Sequence, residues 1–312
     1  MQKEIIEWAH SRGMLAAIGS TDFIADANDK ITQLRDKGEL DQLIFRCYMK
    51  WLENRRDFSY QAFKSVIVLA LQRPAHIVSF EMSNGPFEVL FPPTYVKYDE
   101  IFKIYFTDFI KYFGNKLGEA QLVKAPLKTL AVKMGLAAYG KNNITYVEKF
   151  GSYHQLMAFA TAKELKPYNG FNNNDEAKQL LQCTDCSICT TLCPTKAISR
   201  ERFLLSAVRC LTFFNEREGE LPADVRLHSN LQPCFIGCMV CQEFCPVNKG
   251  LLQIERTGIS FNRKETQDIL NGENDIEVRK CIRKKLEELG ILDCEFILGR
   301  NLRFALSTVE NP

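Results

Sequence analysis

The chain lacks the features that place a protein in a membrane or in an extracellular disulfide framework. Its longest apolar run, Val66–Leu71, is far too short to span a bilayer, which takes about 20 apolar residues. No secretory signal is recognisable at its start, and no low-complexity tract interrupts it. A formal net charge of +2 gives no general case for binding nucleic acid or a membrane surface. We therefore expect a soluble, cytoplasmic protein with no membrane partner.

Cysteine, by contrast, is concentrated in one segment, because nine of the twelve cysteines lie between Cys183 and Pro246. The run from Cys183 to Pro194 has the spacing C-x2-C-x2-C-x3-C-P of bacterial ferredoxins. A second run, from Cys238 to Pro246, repeats the back half of that spacing. Three thiolates two residues apart can wrap one cubane within a tight loop, and the fourth is turned away by its proline toward another cluster. Two such runs predict two mutually braced 4Fe–4S clusters.

The predicted ligands are shared crosswise between the two runs. One cluster is expected to have four cysteine ligands, namely Cys183, Cys186, Cys189 and Cys245. The second cluster takes Cys193, Cys238 and Cys241, and spacing leaves its last ligand open between Cys210 and Cys234. Cys234 precedes Cys238 by one residue more than the regular spacing allows, whereas Cys210 lies far upstream.

Closely spaced cysteines also occur in structural zinc sites and in disulfide frameworks. Structural zinc prefers paired C-x2-C knuckles with a longer gap, does not need a terminal Cys-Pro, and would find only four histidines here. A disulfide framework suits a short secreted chain rather than one of 312 residues. Iron–sulfur chemistry is therefore the interpretation we favour, with zinc as its main alternative.

Hydrophobic periodicity predicts alternating helices and strands upstream of this segment. Helices are expected over 2–13, 26–37, 98–113, 127–134 and 275–289, and strands over 14–18, 66–71 and 155–161. The aromatic residues of 98–113 recur at helical spacing, which favours packing on a core over cofactor stacking.

The predicted fold class is α+β. An N-terminal α/β domain over 1–170 precedes a ferredoxin-like double-cluster domain over 171–255, and a helical tail over 256–312 packs on both. The polar stretch 169–177 is the strongest linker signal.

Two further segments have both an ordinary and a functional interpretation. The loop 135–143, GLAAYGKNN, is explained by turns and caps in most proteins, or its exposed amides hold a bulky polar cofactor with Lys141 at the rim. It is not a nucleotide-binding P-loop, because Asn142 replaces the hydroxyl residue that magnesium needs. The basic cluster within 279–285 is most simply a solvated helix face, with nucleic-acid contact as the alternative.

Several motifs resemble those of epoxyqueuosine reductases and their relatives, the cobalamin-dependent reductive dehalogenases. The segments CTDCSICTTLCPTKAI, VRCLTFF and GCMVCQEFCPVN look like the double-cluster domain of that superfamily. Upstream, APLKTLAVKMGLAAYGKNN followed by GSYHQLMAFA is similar to the segment that packs against cobalamin, and GRNLRFAL near the C-terminus also fits. The resemblance implies an N-terminal cobalamin and substrate domain, two 4Fe–4S clusters and base-off cobalamin.

The resemblance also implies roles for particular residues. It favours Cys210 over Cys234 as the remaining ligand of the second cluster. It implies that six residues line the corrin, namely Gly135, Gly140, Lys141, Asn142, Gly151 and Ser152. The family's proton-donating aspartate is replaced here by Val123, which has no proton to donate. Asp99, Glu100 and Tyr98, with Tyr95 as a further option, are the candidates for supplying a proton from another direction.

Three functions remain open at this stage. The first is a cobalamin-dependent reductase whose substrate is a small molecule or a modified nucleoside, with tRNA not favoured because few residues follow the clusters to provide helical repeats. Its electron donor would be a ferredoxin or a flavodoxin. The second is an electron-transfer protein that serves a partner enzyme. The third is a reductive activator of another protein's cobalamin.

Overall fold

The computed structural model contains both helices and strands, and it describes residues 1–53, 60, 62–168, 179–220, 234–273 and 275–310. The helices are α1 (Gln2–His10), α2 (Asp22–Asp36), α3 (Gln42–Ile44), α4 (Tyr98–Leu117), α5 (Leu127–Lys133), α6 (Ile188–Leu192), α7 (Leu211–Asn215), α8 (Val240–Glu243), α9 (Arg263–Asn271), α10 (Ile276–Leu289) and α11 (Leu298–Glu310). The strands are β1 (Met14–Ser20), β2 (Ser65–Gln72), β3 (Ala75–Met82), β4 (Gly85–Phe91), β5 (Ala120–Leu122), β6 (Ala138–Tyr139), β7 (Thr145–Tyr146), β8 (His154–Thr161) and β9 (Ile254–Phe261). The predicted linker 169–177 lies outside the described residues.

The mixed α and β fold expected from the sequence is confirmed, and every predicted helix and strand has a counterpart. The chain forms two compact units that interleave along the sequence. Unit 1 comprises Met1–Gln72, Ile101–Ser187 and Arg200–Ser206, and unit 2 comprises Arg73–Glu100, Ile188–Ser199 and Ala207–Pro312. The consecutive domain ranges inferred from the sequence stay a prediction. Within the described parts of the chain, no helix is long and apolar enough to cross a membrane.

Unit 1 is built on a four-stranded sheet in the order β1-β2-β8-β5 with antiparallel neighbours. Strand β2 is central, as its continuous apolar run predicts. Val66, Val68 and Ala70 pack on one face with α2 and α5, while Ile67 and Leu69 pack on the other with α1 and α4. Both faces of the sheet are therefore buried, which explains why β2 does not alternate between polar and apolar residues.

Helix α4 confirms the core interpretation of the aromatic stretch 98–113. Phe109 and Phe113 are buried, and both rings contact Trp8 of α1 edge-on, with centroids 5.4 and 6.0 Å away. The ring of Phe109 also lies 5.0 Å from that of Phe159 on β8. These rings fill the layer between α4 and the sheet.

Unit 2 contains a three-stranded sheet in the order β4-β3-β9, in which β3 pairs antiparallel with β4 and parallel with β9. The sequence analysis did not identify the β3–β4 hairpin, although an Asn-Gly pair between two alternating runs signals one. On this sheet Phe80 stacks on Phe261 with ring centroids 4.8 Å apart, and Phe235 stacks on Phe80 at 5.5 Å. Phe235 lies shortly before Cys238, so this core anchors the segment that leads into the second cysteine run.

Two helices of the tail, α9 and α10, have local start and stop signals. Asn262 and Glu265 form a reciprocal capping box at the start of α9, and Asp275 caps the first amides of α10. Gly272 and Gly290 end these two helices in the left-handed conformation. The sequence-predicted helix at 275–289 is therefore confirmed to within one residue.

Candidate metal centre and adjoining loops

Four predicted ligands of the second cluster lie in unit 2, where their thiols affect one another's pKa. They are Cys193, Cys210, Cys238 and Cys241. Burial raises the pKa of Cys238 well above its usual range, and the neighbouring thiols of Cys241, Cys210 and Cys234 raise it further. Burial also raises the pKa of Cys210, with an additional contribution from Cys193. These contributions mean that Cys238 lies near Cys241, Cys210 and Cys234, and that Cys210 lies near Cys193. The ligand set of the second cluster stays a prediction.

Main-chain amides point at these sulfurs. The amide of Ala197 donates to Cys193 Sγ over 3.2 Å. The amide of Thr212 donates to the sulfur of Cys210, and that of Val240 donates to Cys238. Such bonds stabilise a thiolate and the negative charge of a reduced cluster. All twelve cysteines are free thiols, so the donor set fits iron–sulfur ligation.

Cys234 differs from Cys210 in its surroundings. Its backbone pairs with Leu90 at the edge of β4, and the next amide, of Phe235, donates to Leu90 O over 3.0 Å. Burial, with a smaller contribution from the carboxylate of Glu243, raises the pKa of Cys234 to about 12. A thiol beside a carboxylate is the weaker candidate for a thiolate ligand. Both thiols neighbour Cys238, and the choice of Cys210 over Cys234 stays a prediction.

The first run begins in unit 1. Cys183 is buried at the end of the turn Leu181–Cys183, and Cys186 follows in the same loop. In unit 2, Cys189 lies in α6 and Cys245 precedes a turn that starts at Pro246. No three His, Cys, Asp or Glu side chains among the described residues converge as they would around a single metal ion. The ligand sets of both clusters therefore rest on the spacing of the cysteines and on the family resemblance, and they stay predictions.

Each glycine of the predicted corrin-lining set has a role within the chain. Gly135, with φ of +72°, ends α5 in a Schellman motif, in which Leu136 N donates to Ala131 O over 2.9 Å. Gly151, with φ of +57°, closes a tight turn through two 2.9 Å bonds with Val147. A Cβ at Gly140 would lie 2.5 Å from the ring of Tyr146. Turns, a cap and packing account for these three positions.

The polar members of that set are also engaged inside unit 1. Asn142 is buried, and its amide nitrogen donates to Tyr146 Oη over 3.0 Å. Lys141 Nζ donates to the carbonyl of Cys186 over 2.7 Å. The ammonium group that we expected at the edge of a cofactor therefore contacts the loop of the first cysteine run. Ser152 is also buried. The corrin-lining assignment of all six residues stays a prediction.

A buried histidine beside this loop was not singled out from the sequence. His154 Nδ1 bonds to Gly151 O at 3.0 Å, and Nε2 bonds to Thr145 Oγ1 at 3.2 Å. Burial, with a smaller contribution from the charge of Lys128, lowers the pKa of His154 to about 4. A neutral imidazole therefore joins the Gly151 turn to β7.

The residues considered for proton donation lie in two different settings. Val123 is buried, and its amide extends β5 by donating to Ala158 O over 2.9 Å. Tyr98, Asp99 and Glu100 form the exposed first turn of α4, where acidic side chains complement the helix dipole. Their catalytic role stays a prediction.

Tyr95, the further option, packs its ring where a Cβ of Gly237 would lie. Its hydroxyl bonds to the carboxylate of Glu216. Burial, the charge of Glu216 and the hydrogen bond to it together raise the pKa of Tyr95 well above its usual range. This tyrosine therefore belongs to the surroundings of the second cysteine run.

The basic cluster of α10 is largely neutralised by its own neighbours. Arg279 and Arg283 both reach Glu295, at 3.4 and 2.5 Å, and Lys280 pairs with Glu277 at 2.7 Å. These contacts fit the interpretation as a solvated, ion-paired helix face.

The segment 182–248 matches the family described as the 4Fe-4S double cluster binding domain. The cysteine spacing and this match define a double-cluster iron–sulfur protein, which confirms the iron–sulfur interpretation over zinc.

Wider comparisons extend the resemblance beyond that segment. The chain is 36% identical to an epoxyqueuosine reductase of Synechococcus sp. (strain CC9605) over 124 residues, which cover 39% of this chain and 35% of the relative. It has the fold of the epoxyqueuosine reductase from Streptococcus thermophilus, with a TM-score of 0.67 and 19% identity over 100% of this chain and 82% of that one. An epoxyqueuosine reductase solved with an epoxyqueuosine-modified tRNA-Tyr stem loop gives a TM-score of 0.67 at 18% identity over 99% and 81%.

The resemblance to epoxyqueuosine reductases predicted from the sequence is thus confirmed. The sequence matches span only about a third of the curated relatives, 32% and 35% of their lengths.

Proposed function

We propose that this protein is an iron–sulfur oxidoreductase that passes electrons through two 4Fe–4S clusters to a bound cobalamin, which reduces a substrate. The observation that carries the proposal is a double-cluster segment within a chain whose whole length has the epoxyqueuosine reductase fold. Cobalamin would supply a strongly reducing nucleophilic metal centre, and the protein would supply binding, orientation and a proton. A ferredoxin or flavodoxin is the proposed electron donor.

The residues of this chain support the binding of the clusters more directly than the binding of cobalamin. For the clusters, free thiols with amide donors aimed at their sulfurs form a suitable donor set. For cobalamin, the glycines and polar residues of 135–152 are occupied by contacts inside unit 1. Support for cobalamin therefore comes from the shared fold rather than from those side chains.

We further propose that the substrate is not epoxyqueuosine-modified tRNA. Val123 replaces the acid that the family resemblance implies, and it is buried in the extension of β5. Loss of a positioned general acid typically costs about 10²- to 10⁴-fold in rate. The protein would keep the electron path and act on a different small molecule or modified nucleoside.

The cofactor part of the proposal is tested with anaerobically purified protein. Iron analysis is expected to give roughly eight irons per chain, from two cubanes. Cobalamin added to this protein is expected to be retained in the base-off form, as seen in its visible spectrum. A stable preparation with zinc in place of iron would refute the clusters, and iron-loaded protein that retains no cobalamin would refute the reductase.

The substrate part is tested by complementation of a strain that lacks its own epoxyqueuosine reductase. We expect epoxyqueuosine to accumulate in the digested tRNA, although the expressed protein carries both clusters. Queuosine at normal levels would show that another group replaces the acid at Val123 and that tRNA is a substrate after all.

An electron-transfer protein without its own substrate is the second candidate. It is favoured by the same two observations, the internally bonded loop around Asn142 and the absence of an acid at Val123. Iron-loaded protein that binds no cobalamin but reduces a partner enzyme would support it. A reductive activator would instead bring a partner's cobalamin to the reduced state in the same assay.

A further inference from the structure

We propose that Asn215, Asn301 and Arg300 form a hydrogen-bonded brace that positions the ligand segments of the second cluster and sets its reduction potential. These three are positioning residues, because they act through the backbone that carries Cys210 and Cys238. The inference rests on the proposed function, since it takes the second cluster as given.

The centre of the brace is the side chain of Asn215, the last residue of α7. Its Nδ2 donates to Gly237 O over 2.6 Å, and its Oδ1 accepts from Gly237 N over 2.9 Å. One amide group thus binds both polar groups of the residue that immediately precedes Cys238. Asn215 is buried and Gly237 has φ of +73°, so this pairing fixes a backbone shape that other residues rarely adopt.

Asn301 locks Asn215 in place from the C-terminal helix α11. Its Nδ2 donates to the carbonyls of Asn215 and Phe235, each over 2.8 Å. Asn301 is buried as well. A single amide therefore ties together the segment after Cys210 and the segment before Cys238.

Arg300 completes the brace at the end of α7. Its guanidinium donates to the carbonyls of Phe214 at 3.1 Å, Arg217 at 2.6 Å and Gly219 at 2.5 Å. It also donates to Asn301 Oδ1 at 2.9 Å. The last carbonyls of a helix have no partner within it, and the rigid fork of Arg300 binds that of Phe214 together with two carbonyls of the segment that follows α7.

The brace connects to the cluster through the amides that face the sulfurs. The amide of Thr212, in the first turn of α7, donates to the sulfur of Cys210, while Val240 N donates to that of Cys238. The next amide, of Phe213, holds the backbone of Cys210 by donating to its carbonyl over 2.9 Å. Amide-to-sulfur hydrogen bonds favour the more negatively charged, reduced cluster. If α7 or the Gly237 segment shifts, these bonds lengthen and the reduction potential becomes more negative.

The test uses redox titration of the intact protein followed by electron paramagnetic resonance. The signal of the second cluster is first assigned with Cys238→Ala, because Cys238 is a ligand whichever of Cys210 and Cys234 completes the set. Asn301→Ala is then expected to move that signal to a more negative midpoint potential. Arg300→Lys keeps the charge but loses the fork, so it is expected to give a smaller shift in the same direction.

The matched control is Arg303→Lys. Arg303 lies on the same helix and donates to the carbonyl of Leu270, outside the brace. This variant is expected to leave both midpoint potentials at their wild-type values. If Asn301→Ala does not fold, Arg300→Lys against Arg303→Lys still decides the question.

The outcomes distinguish a failure of the proposed function from a failure of the brace alone. Wild-type protein without two clusters would refute the proposed function itself. Wild-type protein with two clusters, together with unchanged potentials in Arg300→Lys and in any folded Asn301→Ala, would overturn the brace alone. A loss of thermal stability without a shift in potential would count as the same refutation, since it describes a purely structural contact.

Discussion

Gly140 offers a direct test of whether the glycine loop is shaped by the protein or by a cofactor. A Cβ at this position would lie 2.5 Å from Tyr146 Cε2 and 2.6 Å from Asn142 Oδ1. Both neighbours are buried, and they are hydrogen-bonded to each other at 3.0 Å. Gly140→Ala must therefore displace a buried ring or break a buried hydrogen bond.

The magnitude follows from those two contacts. Overpacking a core site costs about 1–3 kcal/mol, and loss of one buried hydrogen bond costs about 1 kcal/mol more. The expected destabilisation is about 2–4 kcal/mol, which corresponds to a decrease in Tm of about 3–6 °C when a chain of 312 residues unfolds as a whole. Thermal unfolding of the iron-loaded protein in the absence of cobalamin measures it.

Gly114→Ala is the matched control. Its Cβ would have Ile110 Cγ2 as its nearest neighbour, at 3.4 Å, and Gly114 lies inside α4. The same chemical change there is expected to stabilise the helix by about 0.5–1 kcal/mol. An unchanged Tm for Gly140→Ala with weakened cobalamin retention would refute the packing explanation and would assign the glycine to the cofactor.

Three further predictions concern single side chains. Cys210→Ala should lose about four irons, one cubane, while Cys234→Ala should keep both clusters; iron analysis showing the reverse would make Cys234 the ligand. Lys141→Met should remove the 2.7 Å contact to the carbonyl of Cys186 and speed the release of iron to a chelator several-fold. The control is Lys163→Met, which breaks a similar bond to the carbonyl of Lys116 and should leave the release rate unchanged. Equal release rates in the two variants would contradict the role of Lys141. His154 has its pKa lowered to about 4 in the folded state, so the stability that it contributes is present above the unfolded pKa of about 6.5 and is lost as the pH falls toward 4. Between pH 7 and 5 this amounts to about 2 kcal/mol, and urea unfolding of His154→Gln should lack that dependence; an identical pH profile for wild type and variant would show that the imidazole is not buried neutral.

The sequence by itself determined the features whose cause is local. The C-x2-C-x2-C-x3-C-P run predicts cluster chemistry because ligand spacing along a few residues decides which thiolates can wrap one cubane. Helix ends such as Gly135 and Asp275 are readable because caps involve residues only two to five positions apart. The apolar run in β2 predicted a buried central strand, since a strand covered on both faces has no polar side.

Tertiary structure alone decided the features that depend on distant partners. Nothing near Lys141 in the sequence indicates that it binds the carbonyl of Cys186, 45 residues away. The contact of Asn301 with Asn215 spans 86 residues, and a lone asparagine carries no periodic pattern that would reveal it. A side chain that donates to backbone carbonyls can bind any carbonyl that folding brings within about 3 Å. Which carbonyl it binds is therefore decided by packing and not by residue type. The chemistry of the clusters is therefore encoded in the cysteine spacing, while the hydrogen bonds of Asn215 and Asn301 form only when the chain is folded.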